Sequence, residues 1–331
     1  MKDGTYWDEV WNPTAGCSRV SEGCRNCWAE KFAWRHANNP KQKAVYGPTA
    51  TAKGWTGHVT LRPERLELPL KWRKPRVVSV QFMGDLFADG VPDEYLVAVF
   101  AVMAAAEEHT FLLLTKRPER MRAFLADKTY WPERFVASAN MWAAADYGVD
   151  VSGFPDFHSW PLPNVWLGTS VEDQRTAGER IPHLLDCPAA GRFVSAEPLL
   201  DDAFTCCHCD GRGGFLGAEY GFVCCPECGG GGYVWLEELD AVIVGGESGP
   251  GARPCNVEWL RSTVEQCSES GVPCFVKQLG AHYVDAASGV GGAQARPDPS
   301  VVPPIRHLKD RAGADMSEWP EDIRVRELPW M

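Results

Sequence analysis

Short, continuously apolar runs alternate with helical patterns along most of this chain. The runs predict buried strands at residues 77–83, 110–115, 165–170, 192–196, 241–246 and 273–278. Helical patterns follow several of them, beginning for example at Pro92-Asp93-Glu94 and covering 257–270. Strands that are apolar on both faces and alternate with helices predict a parallel sheet covered on both sides.

Six such strand–helix units predict an α/β fold, a full or partial parallel β/α barrel, with a doubly wound open sheet as the alternative. We expect one barrel domain from residues 1–202 and 235–283, with an N-terminal cysteine loop. Residues 203–234 are predicted to be an insertion. Residues 284–331 are predicted to be an irregular C-terminal segment, because 284–304 is rich in Gly, Ala and Pro.

Polar residues follow each predicted strand. A single strand must end in something polar, but the carboxyl ends of parallel strands meet at one mouth of a barrel. Together these residues predict a shared pocket. They are Gly84-Asp85, Lys116-Arg117, Ser170 with Glu172, Ser195 with Glu197, Gly245-Gly246-Glu247-Ser248 and Lys277-Gln278.

The composition predicts a cytoplasmic protein with no membrane partner. Of the 331 residues 45% are apolar, but no run approaches the length needed to span a bilayer. The N-terminus, MKDGTYWDEVW, lacks the apolar core of a signal peptide. The net charge of −11 argues against a surface that is basic throughout. The densest basic segment, 71–76, is interpreted as a solvated rim.

Three cysteines near the N-terminus, Cys17, Cys24 and Cys27, suggest a metal centre. Clustered cysteines in a long chain without an export signal are typical of metal ligands rather than disulfides. Three thiolates without an obvious fourth are able to hold a 4Fe–4S cluster and leave one iron open, which makes a reactive site. Two alternatives remain: a zinc site completed by a distant ligand such as His36, or reactive thiols without a metal.

A second constellation lies in the predicted insertion. Cys206 and Cys209 are separated by fifteen residues from Cys225 and Cys228, a spacing that predicts a tetrahedral zinc site. Each pair continues as Cys-x2-Cys-x-Gly-x-Gly and resembles the zinc repeats of DnaJ chaperones. We expect zinc to stabilise an insertion with little apolar material of its own. An auxiliary iron–sulfur cluster is the alternative.

Several longer stretches carry a family resemblance: WNPTAGC…GCRNCWAEK, GDLF…VPDEYL, TKRPERM, VWLGTSVEDQ, RFVSAEPLL, VIVGGESGPGARP and FVKQLG. They resemble the phage-associated three-Cys-motif family of unknown function, which looks like a divergent branch of the radical S-adenosylmethionine superfamily. The resemblance covers residues 5–280 apart from the insertion. The chain departs from the common superfamily pattern, because its cysteine spacing is Cys-x6-Cys-x2-Cys rather than Cys-x3-Cys-x2-Cys.

The resemblance implies a radical enzyme. Cys17, Cys24 and Cys27 would hold a 4Fe–4S cluster whose open iron chelates S-adenosylmethionine, and its reductive cleavage would give a 5′-deoxyadenosyl radical for hydrogen abstraction. An electron donor is implied, and the need for another partner protein is unknown. The expected substrate is a nucleic-acid base or lesion. The candidates for holding S-adenosylmethionine are Asp85, Ser170, Glu172, Ser195, Glu197, Gly245, Gly246 and Glu247.

A function of another class is the alternative. The chain would then be a non-catalytic, zinc-dependent module that binds nucleic acid or protein, with Cys17, Cys24 and Cys27 as a second zinc site.

Overall fold

The computed structural model describes residues 4–126, 147–149, 160–206, 212, 214–217, 221–224, 234–249, 251–285 and 305–331. The chain divides into two compact units. The first comprises residues 1–170, 180–193 and 330, and the second comprises 171–179, 194–329 and 331. The sequence predicted a single barrel domain for most of this length.

The described strands are short and numerous. In chain order they are β1 (Glu9–Trp11), β2 (Thr14–Ala15), β3 (Ala50–Thr51), β4 (Gly54–Trp55), β5 (Thr60–Leu61), β6 (Val77–Val80), β7 (Thr110–Thr115), β8 (Val165–Val171), β9 (Gly191–Ala196), β10 (Gly214–Gly217), β11 (Gly221–Cys224), β12 (Ala241–Gly245), β13 (Cys255–Asn256), β14 (Cys274–Gln278), β15 (His282–Val284) and β16 (Ile305–His307).

The described α-helices are α1 (Trp28–Ala37), α2 (Lys43–Tyr46), α3 (Asp93–Ala105), α4 (Pro118–Ala126), α5 (Gln174–Leu185) and α6 (Val257–Ser270). Short 3-10 turns lie at Glu22–Cys24, Pro63–Arg65, Pro69–Lys71, Leu236–Glu238, Met316–Glu318 and Glu321–Ile323. No described helix is long and apolar enough to cross a membrane.

Seven strands form the main sheet, in the order β1-β6-β7-β8-β9-β12-β14. The pairs β1–β6, β6–β7, β7–β8 and β12–β14 are parallel. The order rises steadily along the chain, whereas a doubly wound sheet reverses its order at a switch point. The topology is therefore an α/β fold compatible with a partial parallel barrel, and it disfavours the doubly wound alternative.

The six predicted strands correspond to β6, β7, β8, β9, β12 and β14. Every residue of β6 and β12 is buried, which is why these strands have continuously apolar sequences. The seventh strand, β1, was not predicted. Only Trp11 in it is buried, and its strand conformation depends on pairing with β6, which is distant in sequence.

Capping residues mark both ends of the predicted helix at 257–270, which is α6. α6 has the predicted bounds because Asn256 accepts a hydrogen bond from the Glu258 N–H at its start, and a side chain of this kind satisfies a free backbone donor. At its end Gly271 takes a left-handed conformation with φ of +68°, as glycine commonly does after a helix.

In the first unit, a small apolar cluster supports the segment after β1. It joins α1, α2 and the β3–β4 hairpin through Ala29, Ala33, Tyr46 and Ala50. Cys27 and Trp55 pack against this cluster. The start of α1, and therefore the end of the cysteine loop, is held by packing.

In the second unit, the segment after residue 304 contacts strands that lie earlier in the chain. β16 pairs with β15, and the N–H of Val276 in β14 donates to the carbonyl of Val325. No local sequence pattern predicts these contacts, because the segment is polar and pairs with strands that are far from it along the chain. Residues 286–304 lie outside the described residues.

Candidate functional site

The cysteine loop connects the end of a strand to the start of a helix. It runs from Asn12, directly after β1, to Cys27, the residue before α1. Because β1 is parallel to β6, the loop leaves the carboxyl end of the sheet. In folds built from parallel strands, functional groups gather at this end.

Gly16 fixes the loop beside β6. Its N–H donates to the carbonyl of Met83 at 2.9 Å, and it forms a parallel bridge with Gly84. Gly16 has φ of +106°, and a Cβ there would lie 2.2 Å from the carbonyl oxygen of His58. A Cβ on Gly84 would lie 2.3 Å from the carbonyl oxygen of Gly16. Both positions therefore require glycine, and Cys17 is held beside the end of β6.

Asp85 joins the ends of β6 and β7. Its carboxylate accepts hydrogen bonds from the N–H groups of Phe87 and Lys116 at 2.9 and 3.0 Å. The hydroxyl of Thr115 donates to it at 2.7 Å, and Nη1 of Arg117 donates at 2.9 Å. Both carboxylate oxygens are thus used, and the side chain is only 7% exposed. Asp85 therefore holds Arg117 in place, and its predicted role in holding a cofactor stays a prediction.

Arg117 extends the contact from Asp85 to the first cysteine. Its Nη1 lies 3.7 Å from Sγ of Cys17, and its Nη2 donates to the hydroxyl and the carbonyl of Ser18 at 2.7 and 3.1 Å. Burial acts to lower the pKa of Arg117, but Asp85 and Cys17 outweigh it and the pKa is raised. A charged guanidinium therefore lies between a carboxylate and a thiol.

The three thiols of the loop are free and half-buried. Burial raises the pKa of Cys17 to about 12, and Cys24 contributes in the same direction. Burial also raises the pKa of Cys27, again with a contribution from Cys24. Cys24 is therefore close enough to interact electrostatically with both. In the metal-free chain Cys17 and Cys27 are neutral thiols at neutral pH, and a bound metal cation would displace their protons.

The start of α1 and a second arginine surround the loop. Backbone N–H groups of Glu30 and Ala29 oppose the rise in the pKa of Cys27. Arg19 binds the Glu30 carboxylate, with its Nε at 2.9 Å. The pKa of Arg19 is raised mainly by this hydrogen bond, with contributions from Cys24 and Cys27. Arg19 and Arg117 thus bring two positive charges to the thiols.

The protein ligands of a single metal ion and those of a cluster are arranged differently. Among the described residues, no three His, Cys, Asp or Glu side chains lie together as ligands of a single ion. A lone zinc needs all its sulfur ligands about 2.3 Å from one centre, whereas the thiolates of a cluster bind different irons. His36 lies nine residues beyond Cys27 on α1, which places it about 13 Å along the axis. Its ring packs on Phe32, and the zinc alternative with His36 stays a prediction.

The second cysteine constellation falls mostly outside the described residues. Cys206 is buried at the start of the predicted insertion, while Cys209, Cys225 and Cys228 are not described. β10 and β11 form an antiparallel pair between the two cysteine pairs. The zinc knuckle stays a prediction.

Three of the predicted cofactor-binding residues lie together in the second unit. Oγ of Ser195 donates to Oε2 of Glu197 at 3.2 Å, and Nζ of Lys277 lies 3.1 Å from Oε1 of Glu197. A Cβ on Gly245 would lie 3.1 Å from the same carboxylate, so this glycine leaves room for it. The ends of β9, β12 and β14 therefore share a polar group whose lysine is 24% exposed.

Gly246 and Glu247 have structural partners. A Cβ on Gly246 would lie 2.1 Å from the carbonyl oxygen of Leu279, so close packing requires glycine there. The Glu247 carboxylate accepts from Nη2 and Nε of Arg253 at 2.8 and 3.1 Å. It also accepts from the Arg253 N–H at 2.9 Å. These contacts fix both residues in place, and their binding of S-adenosylmethionine stays a prediction.

Ser170 and Glu172 are buried near the end of β8. The Ser170 carbonyl accepts from Nη1 of Arg180 at 2.7 Å. In the second unit, the N–H of Glu172 donates to Oγ1 of Thr176 at 2.9 Å, and its carbonyl accepts from the N–H of Leu200 at 2.7 Å. These contacts fix the backbone, and binding of S-adenosylmethionine by the two side chains stays a prediction.

Four basic residues at these positions were not assigned roles from sequence: Arg19, Arg117, Arg253 and Lys277. Arg117 and Lys277 stood among the polar strand ends, and that position was the available signal. Arg19 and Arg253 pair with carboxylates eleven and six residues away, and no sequence periodicity indicates such pairs.

Comparison with known proteins identifies a family. Residues 3–318 match the family described as "Protein of unknown function (DUF5131)". Neither the curated proteins nor the solved structures contain a match to the chain. Since the family match spans nearly the whole sequence, this chain belongs to the DUF5131 family.

Proposed function

We propose that this chain is an iron–sulfur enzyme of the radical S-adenosylmethionine type, with Cys17, Cys24 and Cys27 as the protein ligands of a 4Fe–4S cluster. The cysteine loop carries the proposal. It brings three free thiols to the carboxyl end of a parallel sheet, and Arg117 contacts the first of them. The donor set suits a cluster, because thiolates are its usual ligands and each binds a separate iron.

The surrounding residues suit the charge of such a centre. Reduced by an external electron donor, such a cluster would supply one electron to S-adenosylmethionine, whose C–S bond would break to give methionine and a 5′-deoxyadenosyl radical able to abstract hydrogen from a C–H bond. Arg117 and Arg19 compensate the negative charge of the thiolates. Oδ2 of Asp85 accepts a hydrogen bond from Arg117 and fixes it, while Oδ1 accepts from the Thr115 hydroxyl. The N–H groups at the start of α1 favour a thiolate at Cys27.

Within the second unit, Ser195, Glu197 and Lys277 form a polar group whose chemistry would suit the ribose of S-adenosylmethionine. A carboxylate accepts hydrogen bonds from ribose hydroxyls, and an ammonium group donates to them. In this proposal Glu197 and Lys277 exchange part of their mutual ion pair for such bonds. Gly245 keeps the space beside the Glu197 carboxylate open.

A metal count on anaerobically purified protein tests the cluster. We expect a brown protein with about four irons per chain. Cys24→Ala should lose the iron and the visible absorption. The matched control is Cys187→Ala, because Cys187 is a buried cysteine outside the loop and its loss should leave the iron content unchanged. A colourless wild-type protein holding only zinc would favour the non-catalytic zinc module instead.

Incubation with S-adenosylmethionine and dithionite tests the reaction. We expect 5′-deoxyadenosine from the iron-loaded protein and none from Cys24→Ala. An iron-loaded protein that binds S-adenosylmethionine but never forms this product would contradict the radical part of the proposal while leaving the cluster intact.

A further inference from the structure

Charge is strongly segregated along this chain. Residues 1–76 contain 14 Lys and Arg but only 7 Asp and Glu, a net charge of +7. The whole chain carries −11, so residues 77–331 carry −18. The chain as a whole has a negative net charge, but residues 1–76 have a positive one. This basic region contains the cysteine loop and α1.

Two tryptophans on α1 are exposed to solvent. Trp28, which directly follows Cys27, is 55% exposed, and Trp34 is 45% exposed. Exposed positions on the same helix include Lys31 and Arg35, so cations lie between and beside the indole rings. Six residues separate the tryptophans, a rise of about 9 Å along the helix. Single exposed apolar residues are common, but paired indoles with interleaved cations indicate a binding surface.

A cleft opens beside Trp34. Its volume is about 520 Å³, within the usual range of ligand sites, and its lining includes Trp34, Asn38, Lys43, Pro48 and Thr51. Lys43 is exposed at the start of α2. Within the described part of the chain, Arg35 and Lys43 have no carboxylate partner in an ion pair. Their charge is available to an anionic ligand.

We infer that α1 and the adjoining cleft form a binding surface for single-stranded nucleic acid. Bases stack on the indole rings of Trp28 and Trp34, since stacking on exposed aromatic rings is the usual way of holding unpaired bases. Arg35 and Lys43 contact the phosphates. The surface starts at Cys27, so a bound strand passes the cysteine loop. The further step, that this strand is also the substrate, rests on the proposed function. The binding itself does not rest on it.

An acidic protein is the competing partner for a basic surface. Charge alone would attract it, but an acidic protein would not require two exposed indoles or a cleft in the size range of ligand sites. Unpaired, unstacked bases have exposed aromatic faces that match both features. The observations therefore favour nucleic acid.

Fluorescence anisotropy with a labelled single-stranded oligonucleotide of mixed sequence tests the inference. Trp34→Ala should weaken binding about 5- to 150-fold, the effect of losing one stacked base, while Trp34→Phe should retain most of it. Lys43→Glu and Arg35→Glu should weaken binding and each reduce the slope of log affinity against log salt by about 0.7. Arg311→Glu, which changes an exposed arginine in the second unit, should leave affinity and slope near wild type.

Three outcomes would overturn the inference. The first is no oligonucleotide binding by the folded wild-type protein. The second is wild-type affinity in both Trp34→Ala and Lys43→Glu. The third is equal affinity for polyglutamate and for the oligonucleotide, unaffected by Trp34→Ala, which would identify an acidic protein as the partner. Circular dichroism checks that each variant is folded. Cys24→Ala separates the two proposals, because it should lose iron and still bind the oligonucleotide.

Discussion

Replacing Asp85 by asparagine tests the hydrogen bonds through which Asp85 holds Arg117 against the cysteine loop. The substitution keeps the size of the side chain but removes its charge. Each Asp85 oxygen accepts one backbone N–H, from Phe87 on one side and from Lys116 on the other. Whichever way the new amide is oriented, its NH2 group faces one of these N–H groups. One backbone donor then loses its acceptor, and in either orientation the Arg117 guanidinium, 11% exposed, loses its anionic partner.

The expected cost is large. Removing one partner of a buried ion pair costs about 3–5 kcal/mol, because the remaining charge is left uncompensated. A buried donor without an acceptor costs about 1–3 kcal/mol when counted separately. The two losses involve the same carboxylate, so their costs are not additive. We therefore expect Asp85→Asn to lower the free energy of unfolding by about 3–5 kcal/mol.

Urea unfolding and hydrogen exchange of the β7 peptide provide the measurement. The matched control is Asp186→Asn in the same unit. Asp186 also pairs with an arginine, Arg122, at 3.0 Å, but its side chain is 61% exposed. That exposed pair should contribute about 0–1 kcal/mol. If Asp85→Asn destabilised the protein no more than Asp186→Asn does, the hydrogen bonds of Asp85 would not be holding Arg117 and the strand ends in place.

Two further predictions concern pH and packing. Burial raises the pKa of Cys17 from 9.0 to about 12, so the unfolded thiol ionises first. The free energy of unfolding of the metal-free chain should therefore be constant with respect to this group below pH 9 and fall as the pH rises toward 12. Cys17→Ala should reduce that fall in urea titrations, and an identical pH profile for the variant would contradict the assignment. Gly168→Ala should destabilise by about 1–3 kcal/mol, because its Cβ would lie 2.4 Å from the Phe193 ring. Gly178→Ala in α5 should instead stabilise by about 0.5–1 kcal/mol, since its nearest contact is Trp235 at 3.7 Å; equal effects at the two glycines would refute this reasoning.

Elements with local signals could be predicted from the sequence. β7 and α6 have their predicted bounds, 110–115 and 257–270. The first is a continuous apolar run, and the second has a capping asparagine and a terminal glycine. β1 could not be predicted, because three residues with one buried side chain carry no periodicity and depend on β6 for pairing.

The sequence indicated which residues belong to the candidate site, but it did not indicate which of them contact each other. Asp85 and Arg117 stood at consecutive strand ends, and Cys17 belonged to a recognisable motif. The Gly16–Gly84 bridge that brings them together spans 68 residues, and no local pattern reveals it. The ion pair between Glu247 and Arg253 likewise has no local sequence pattern that predicts it.

The Gly16–Gly84 bridge also restricts where the loop can change length. One end of the loop is fixed to the sheet by that bridge, and Arg117 binds Ser18 directly after it. The other end is fixed where α1 begins, and Arg19 is tied to Glu30 of that helix. Val20 is exposed between these attachments. Insertions after Val20 should therefore be tolerated, since lengthening an exposed loop costs little chain entropy, whereas insertions beside Gly16 should displace the first thiol.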